Sequence, residues 1–121
     1  MTRILIVEDD SQLRAHLGEL LQSQGYAVDT AETTEAAHKA LQAGGADLMI
    51  VDVFLPGTDG LQLMLETKRA YPGIKIIITT GKEHLLHGKS IRLAITLGAD
   101  KTLSKPFTTE NLMECVRSAL N

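Results

Sequence analysis

The chain of 121 residues alternates five times between a strand-like segment and a segment with helical periodicity. The strand-like segments are residues 4–7, 26–30, 48–51, 74–78 and 102–104. After the first of them, Leu13, Leu17 and Leu21 recur at the spacing of one helix face. Such regular alternation predicts a parallel sheet with helices packed on both of its faces.

The segments between the strands also carry the residues that begin and end helices. Either Asp10 or Ser11 caps the first helix, either Thr33 or Thr34 the second, and Thr108 the last. Glycines predict three of the helix ends, at Gly25, Gly44-Gly45 and Gly98. The apolar positions expected to face the sheet from the later helices are Ala37, Ala40, Leu41, Leu61, Met64, Leu65, Ile91, Ala94, Ile95, Leu112, Val116, Ala119 and Leu120.

The first, third and fourth strands are continuous apolar runs, which are typical of strands buried on both faces. The second and fifth strands are weaker and are expected at the edges. The prediction is a single α/β domain over residues 1–121, with a doubly wound five-stranded parallel sheet of order 2-1-3-4-5. Ligands of such sheets bind beyond the strand ends where the winding reverses, here between the first and third strands.

Composition narrows the function classes. The net charge is −3 and no stretch is rich in Lys or Arg, so we expect no direct binding to nucleic acid or to a membrane surface. No apolar run approaches the roughly 20 residues needed to span a bilayer. The one cysteine, Cys115, cannot form an internal disulfide, and a small apolar role on the inward side of the last helix is expected for it. A cytoplasmic domain is predicted.

Acidic residues follow two strands that the predicted order makes neighbours. Glu8 and Asp9 follow the first strand, and Asp52 follows the third. Carboxylates brought together there repel one another unless a cation lies between them, and an all-oxygen site suits Mg²⁺. Asp9 and Asp52 are the expected direct ligands, Glu8 is expected to act through water, and the backbone carbonyl of Phe54 completes the site.

The ends of the fourth and fifth strands carry groups that can hold a phosphoryl group. Thr80 offers a hydroxyl, Gly81 an accessible backbone N–H, and Lys105 an ammonium on a long stem. Phosphoryl transfer requires mainly positioning and charge stabilisation, which these groups supply. Asp52 is then the expected carboxylate nucleophile, forming an acyl phosphate.

Four segments, ILIVEDD, IVDVFLPGTDG, IIITTG and GADKTLSKPF, resemble the receiver domain of two-component response regulators (the CheY-like, flavodoxin-like fold) in order and position. The resemblance implies that Asp52 accepts a phosphoryl group from the phosphohistidine of a sensor histidine kinase or phosphotransfer protein. It implies Mg²⁺, for which Mn²⁺ substitutes, held by Glu8 and Asp9. It also implies Thr80 as the switch hydroxyl, Lys105 as the phosphate contact, and a cis Lys105-Pro106 bond. The chain would catalyse only its own phosphorylation and dephosphorylation.

Two features depart from the family pattern. Thr102 stands where the family often has an aromatic switch residue, so we expect the output face to work differently. The stretch 81–90 is predicted as a lengthened loop or an extended fourth helix, in which Lys82 occupies a position that tunes phosphate lifetime. An unknown downstream protein, or a dimer through the fourth helix, fifth strand and fifth helix, would read the signal.

The sequence also allows other functions to be considered. A receiver-shaped module that binds partners without being phosphorylated is the main alternative. An aspartyl phosphatase usually needs an Asp-x-Asp pair, which Asp52-Val53-Phe54 lacks, and a nucleotide-binding domain needs glycines where this first strand ends in acids. His84 and His87 are expected to be solvated loop residues and not zinc ligands. The chain is either a stand-alone receiver or part of a longer regulator.

Overall fold

The computed structural model describes residues 1–55, 58–81 and 94–121. In chain order its strands are β1 (Arg3–Val7), β2 (Ala27–Ala31), β3 (Leu48–Asp52), β4 (Phe54–Leu55), β5 (Thr58–Asp59), β6 (Lys75–Thr80) and β7 (Lys101–Ser104). Five of them form one parallel sheet of order β2-β1-β3-β6-β7, while β4 and β5 form a separate antiparallel pair. Since β6 and β7 are the fourth and fifth strands of the main sheet, the predicted order 2-1-3-4-5 is confirmed.

The described helices are α1 (Ser11–Ser23), α2 (Thr34–Ala43), α3 (Gly60–Ala70), α4 (of which residues 94–97 are described) and α5 (Thr109–Leu120). Asp10 caps α1, because its side chain accepts hydrogen bonds from the backbone N–H groups of Gln12 and Leu13. Thr33 caps α2 and Thr108 caps α5 in the same way. These contacts decide both of the alternatives that the sequence left open.

The central strands bury side chains on both faces of the sheet. Leu5 and Val7 of β1 belong to a cluster with residues of α2 and α3, whereas Ile4 and Ile6 belong to a second cluster with residues of α1 and α5. All five residues of β3 are buried, while β7 at the edge has none that is fully buried. The two apolar layers therefore fix the register, because a shift by one residue would exchange the faces.

The burial of Ile95, Leu63 and Leu65 differs from the expectation. Ile95 was expected to face inward but is 57% exposed, whereas its neighbour Ala94 is buried as expected. Gly98, with a φ of +118°, ends the helix three residues later, so Ile95 lies in a final turn that packs through Ala94. In α3 Leu63 is buried although the helical spacing did not select it, and Leu65 is only half-buried.

Several sequence predictions lie outside the described residues. These are the start of the fourth helix with Ile91, the position of Lys82, and the loop carrying His84 and His87. Across the described ranges, each helix is too short or too polar to cross a bilayer.

Candidate functional site

The predicted site residues lie together at the carboxyl edge of the sheet. Glu8 follows β1, Asp52 is the last residue of β3, and Thr80 is the last residue of β6. Lys105 follows β7, and its backbone N–H donates to the Thr80 carbonyl at 2.6 Å. Because all these strands are parallel, their ends meet at one edge, which is why four distant segments of sequence share one site.

Lys105 joins the two buried acids. Its Nζ donates to Oε1 of Glu8 at 2.7 Å and to Oδ2 of Asp52 at 2.8 Å. Both carboxylates are buried, whereas the lysine side chain keeps 22% of its surface exposed. The Lys105-Pro106 peptide bond is cis, as the family resemblance implied. The Lys105 ammonium lies beside Asp52 and reaches it from the end of β7, as expected from the sequence.

Burial and pairing act in opposite directions on these groups. Burial raises the pKa of Glu8 above that of an ordinary glutamate, and the hydrogen bond and charge of Lys105 only partly offset this. For Lys105 burial lowers the pKa, but the hydrogen bonds to Asp52 and Glu8 outweigh it and the net pKa is raised. The lysine is thus firmly protonated at neutral pH, and it supplies the positive charge that two close carboxylates require.

Glu8, Asp9 and Asp52 form a group able to bind a metal ion. Each offers a carboxylate oxygen, and these oxygens lie within 4.8 Å of one another. Glu8 and Asp52 are buried and Asp9 is exposed, so the group has a closed inner side and an open outer side. The donor set is entirely oxygen and anionic, which fits a hard divalent cation.

The hydroxyl of Thr80 is buried without a hydrogen-bond partner in the part of the chain that the structure describes. An unsatisfied buried hydroxyl is costly, and such groups are uncommon in folded proteins. Gly81 follows it directly and is also buried. An unpaired donor beside Asp52 is suited to a ligand oxygen that is bound there.

Gly60 packs directly against the backbone of Asp52. A Cβ atom on Gly60 would lie 2.0 Å from the Asp52 carbonyl oxygen and 3.0 Å from Cα of Val53. The Gly60 N–H donates to the Val53 carbonyl at 2.9 Å, and the Val53 N–H donates to Thr79 at 3.0 Å. From sequence alone Gly60 is a structural residue of a segment rich in turn formers, and its contact with Asp52, eight residues earlier, was not expected. Phe54 begins the short β4 strand here, and a ligand role for its carbonyl stays a prediction.

Arg14 is a further residue near the site that sequence reasoning missed. Its Nη1 donates to the Glu8 carbonyl at 2.8 Å and lies 3.4 Å from the Asp9 carbonyl oxygen. Its Nη2 lies 3.7 Å from Oε2 of Glu32, which follows β2. The sequence did contain one indication of this role: Arg14 is a cation near the N-terminal end of a helix, where the helix dipole disfavours positive charge.

Thr102 lies on the edge strand β7, opposite Ile78 of β6. It is half-buried and borders an open groove of ≈ 290 Å³ that Lys101 and Cys115 also line. Cys115 packs partly buried against the core layer between the sheet and the α1 and α5 helices. Its expected apolar role is consistent with this position.

The fold and the site define a doubly wound α/β domain with an acidic, lysine-bridged pocket at the edge of its sheet. A family model described as "Response regulator receiver domain" matches residues 4–117. The chain therefore belongs to the response regulator receiver family.

Curated relatives are regulators of greater length. The transcriptional regulatory protein BasR of Escherichia coli (strain K12) is 34% identical over 118 residues, covering 98% of this chain and 52% of that protein. The transcriptional regulatory protein RprY of Bacteroides fragilis (strain YCH46) is 39% identical, covering 91% of this chain and 45% of that protein. The chain thus spans about half the length of the curated relatives it matches.

Solved structures agree with the fold. The response regulator protein TrrA of Thermotoga maritima, in complex with Mg(2+)-BeF, has a TM-score of 0.85 at 38% identity and covers 99% of this chain and 100% of that one. A CheY-like receiver domain protein of Methanospirillum hungatei has a TM-score of 0.91 at 28% identity, covering 99% and 94%. The receiver fold is shared over the length of both chains.

Proposed function

We propose that this chain is the phosphoacceptor of a two-component phosphorelay and that Asp52 takes the phosphoryl group. The observation that carries the proposal is the Lys105 ammonium, held 2.8 Å from Oδ2 of Asp52 at the end of the sheet. A lysine there can contact a phosphoryl oxygen without leaving the site. The whole of residues 1–121 would act as one receiver domain.

The acid group supports a divalent cofactor, Mg²⁺ or in its place Mn²⁺. Glu8, Asp9 and Asp52 would hold it through carboxylate oxygens, with the Phe54 carbonyl as a further ligand. When bound, the cation supplies positive charge that offsets the charge on the phosphoryl oxygens. The Mg(2+)-BeF complex of TrrA, which is 38% identical, is consistent with this assignment.

The transfer uses groups of this chain in defined roles. A carboxylate oxygen of Asp52 forms a bond to phosphorus while the P–N bond to the donor histidine breaks, and the imidazole nitrogen keeps that electron pair. Lys105 and the Gly81 N–H would hold phosphoryl oxygens. Water later attacks phosphorus and restores the Asp52 carboxylate, so the chain turns over only its own phosphate and is not a separate enzyme.

Switching would follow from the buried Thr80 hydroxyl, which has no hydrogen-bond partner among the described residues. The phosphoryl group favours whichever conformer brings this hydroxyl onto its oxygens, which is a shift between populations. A sensor histidine kinase or phosphotransfer protein would be the donor, in the cytoplasm. The face that carries Thr102 would contact a downstream protein or a second copy, through an arrangement that does not use an aromatic at that position.

The test is phosphorylation of the purified chain by a small phosphodonor with Mg²⁺, followed by intact mass. We expect one added phosphoryl group that hydroxylamine removes, and none after Asp52→Asn. The matched control is Asp29→Asn, which alters an aspartate paired with Arg3 away from the site and should be phosphorylated normally. The proposal would be refuted if the wild-type chain gained no phosphoryl group. Equal partner affinities of the wild type and Asp52→Asn would then favour an interaction module that acts without phosphorylation.

A further inference from the structure

Arg14 folds from the first turn of α1 back onto the backbone that carries the acids. Its Nη1 donates to the Glu8 carbonyl at 2.8 Å and lies 3.4 Å from the Asp9 carbonyl oxygen, so one donor spans the peptide groups on both sides of Asp9. Its side chain is only 19% exposed. The contact is therefore a built part of the turn between β1 and α1.

This position is unfavourable for a cation unless other contacts compensate. The N-terminal end of a helix carries a partial positive charge, and the first turn of α1 contains no acidic residue. The Asp10 carboxylate that caps the helix, the two carbonyls and Glu32, whose Oε2 lies 3.7 Å from Nη2, compensate for this. Arg14 thereby connects the acid-bearing turn to the residue that follows β2.

Asp9 depends on this turn more than the other two acids do. Lys105 holds Oε1 of Glu8, and the Asp10 N–H donates to Oε2 of Glu8 at 3.2 Å. Lys105 also holds Asp52. Within the described ranges, no hydrogen bond or ion pair of the Asp9 carboxylate is found, so its position is set by the backbone that Arg14 contacts.

We propose that Arg14 is a positioning residue for metal binding, which holds the Glu8-Asp9 turn so that the Asp9 carboxylate faces a divalent cation in place. The inference rests on the proposed function, because it concerns the same metal site. Residues that orient metal ligands through hydrogen bonds commonly change metal affinity strongly when they are replaced.

The charge of Arg14 and its hydrogen bonds have opposite effects on a divalent cation. A guanidinium near the acids repels the cation, so its loss as a charge alone would strengthen Mg²⁺ binding. Its loss as a donor would release the turn and weaken binding. The direction of the change therefore distinguishes a positioning role from a purely electrostatic one.

The experiment titrates Mg²⁺ into the full chain and follows backbone amide resonances by NMR. Arg14→Met keeps an apolar stem and removes the donors, and we expect the dissociation constant to rise on the order of tenfold. Arg14→Lys keeps the charge and one donor group and should recover part of the loss. Arg69→Met, an exposed arginine in the last turn of α3, is the control for net charge and should bind as wild type does.

Two further readouts separate positioning from general damage. Before metal is added, the Asp9 and Asp10 amide resonances should shift in Arg14→Met and stay in place in Arg69→Met. In phosphorylation by a small phosphodonor, Arg14→Met should need more Mg²⁺ for half-maximal rate while keeping its rate at saturating Mg²⁺. A lower rate at every Mg²⁺ concentration with unchanged half-saturation would overturn the inference.

The remaining outcomes of the Mg²⁺ titration also test the positioning role of Arg14. Mg²⁺ binding by Arg14→Met that equals or exceeds wild type would refute the positioning role and leave the proposed function intact. If Arg14→Met does not fold, Arg14→Lys decides: a Mg²⁺ affinity below that of wild type would support the positioning role of the guanidinium, and an unchanged affinity would refute it. A wild-type chain whose acids show no response to Mg²⁺ would refute the metal site itself, and the inference with it.

Discussion

Nζ of Lys105 and Oδ2 of Asp52 lie 2.8 Å apart, although the strands that carry them are not neighbours. Asp52 ends β3, Lys105 follows β7, and β6 lies between those strands in the sheet. The lysine therefore reaches across a whole strand, and its stem passes the end of β6 at Thr80. The same ammonium also donates to Oε1 of Glu8 at 2.7 Å, so acids at the ends of two central strands share one positive charge.

Replacing Lys105 should destabilise the metal-free protein. Lys105→Met leaves the buried carboxylates of Glu8 and Asp52 beside each other without their shared cation. We expect the free energy of unfolding to fall by about 3 kcal/mol, at the low end for a buried pair because the lysine is partly exposed. Urea unfolding at neutral pH without divalent ions measures it, and added Mg²⁺ should narrow the difference.

The matched control for this variant is Lys101→Met. Lys101 is the first residue of β7, the strand that Lys105 follows, and it is exposed, so its loss should change the free energy of unfolding by no more than about 0.5 kcal/mol. Equal urea midpoints for Lys105→Met and wild type would show that the ammonium does not stabilise the acid pair.

Replacing Thr80 should separate stability from switching. Thr80→Val removes a buried hydroxyl that has no partner among the described residues, so we expect the unmodified protein to gain about 1 kcal/mol. In the wild type, phosphorylation should change the chemical shifts of backbone amides away from Asp52. In Thr80→Val these distant changes should be absent. Urea unfolding and NMR spectra with and without phosphodonor measure the two effects.

Thr67→Val is the matched control for that experiment. The Thr67 hydroxyl in α3 is also buried without a partner in the described ranges, but it is not at the carboxyl edge of the sheet. We expect a similar gain in stability with normal switching. Loss of switching in both variants would contradict a specific role for the Thr80 hydroxyl.

The sheet and the ends of its strands were predictable because their signals are local. Continuous apolar runs mark strands buried on both faces, and polar residues directly after such runs must lie at one edge of a parallel sheet. The positions of Glu8, Asp52 and Thr80 at this edge therefore follow from the sequence alone. The cis bond before Pro106 was not readable from local pattern and came from the family resemblance.

What escaped prediction depends on contacts between distant segments. Arg14 looks like an ordinary polar residue of an amphipathic helix until the Glu8 carbonyl and Glu32 are placed around it. The tight approach of Gly60 to Asp52 depends on how the β4–β5 pair turns the chain. Ile95 follows the helical period but is exposed, because the last turn of its helix packs through Ala94.

The thiol of Cys115 should react slowly and only at high pH. Burial raises its pKa above the ordinary 9.0, and the charge of Lys101 offsets this only in part. Alkylation by iodoacetamide should therefore show a midpoint above 9.0 in the folded chain and near 9.0 in urea. A raised pKa also means that stability is intact below 9.0 and falls as the pH rises through the folded value, since the unfolded thiol ionises first. An alkylation midpoint in the folded chain at or below that of the unfolded chain would contradict the effect of burial on the Cys115 thiol.

Gly60→Ala should damage both the fold and the site. Its Cβ would lie 2.0 Å from the Asp52 carbonyl oxygen, and neither group is the flexible end of a side chain, so the backbone at Asp52 or the start of α3 must move. We expect a loss of about 3 kcal/mol in the free energy of unfolding. At temperatures where the variant is folded, its phosphorylation should be slower than that of wild type, because the displaced backbone carries the acceptor.

Gly18→Ala should change the free energy of unfolding in the opposite direction. A Cβ at this position in α1 meets only the ends of the Val28 and Thr30 side chains, at 3.9 Å, which is ordinary contact. Alanine in the interior of a helix should raise the free energy of unfolding by about 0.5–1 kcal/mol, with unchanged phosphorylation. If Gly60→Ala were as stable and as readily phosphorylated as Gly18→Ala, the close approach of α3 to Asp52 would not be a constraint on the acceptor.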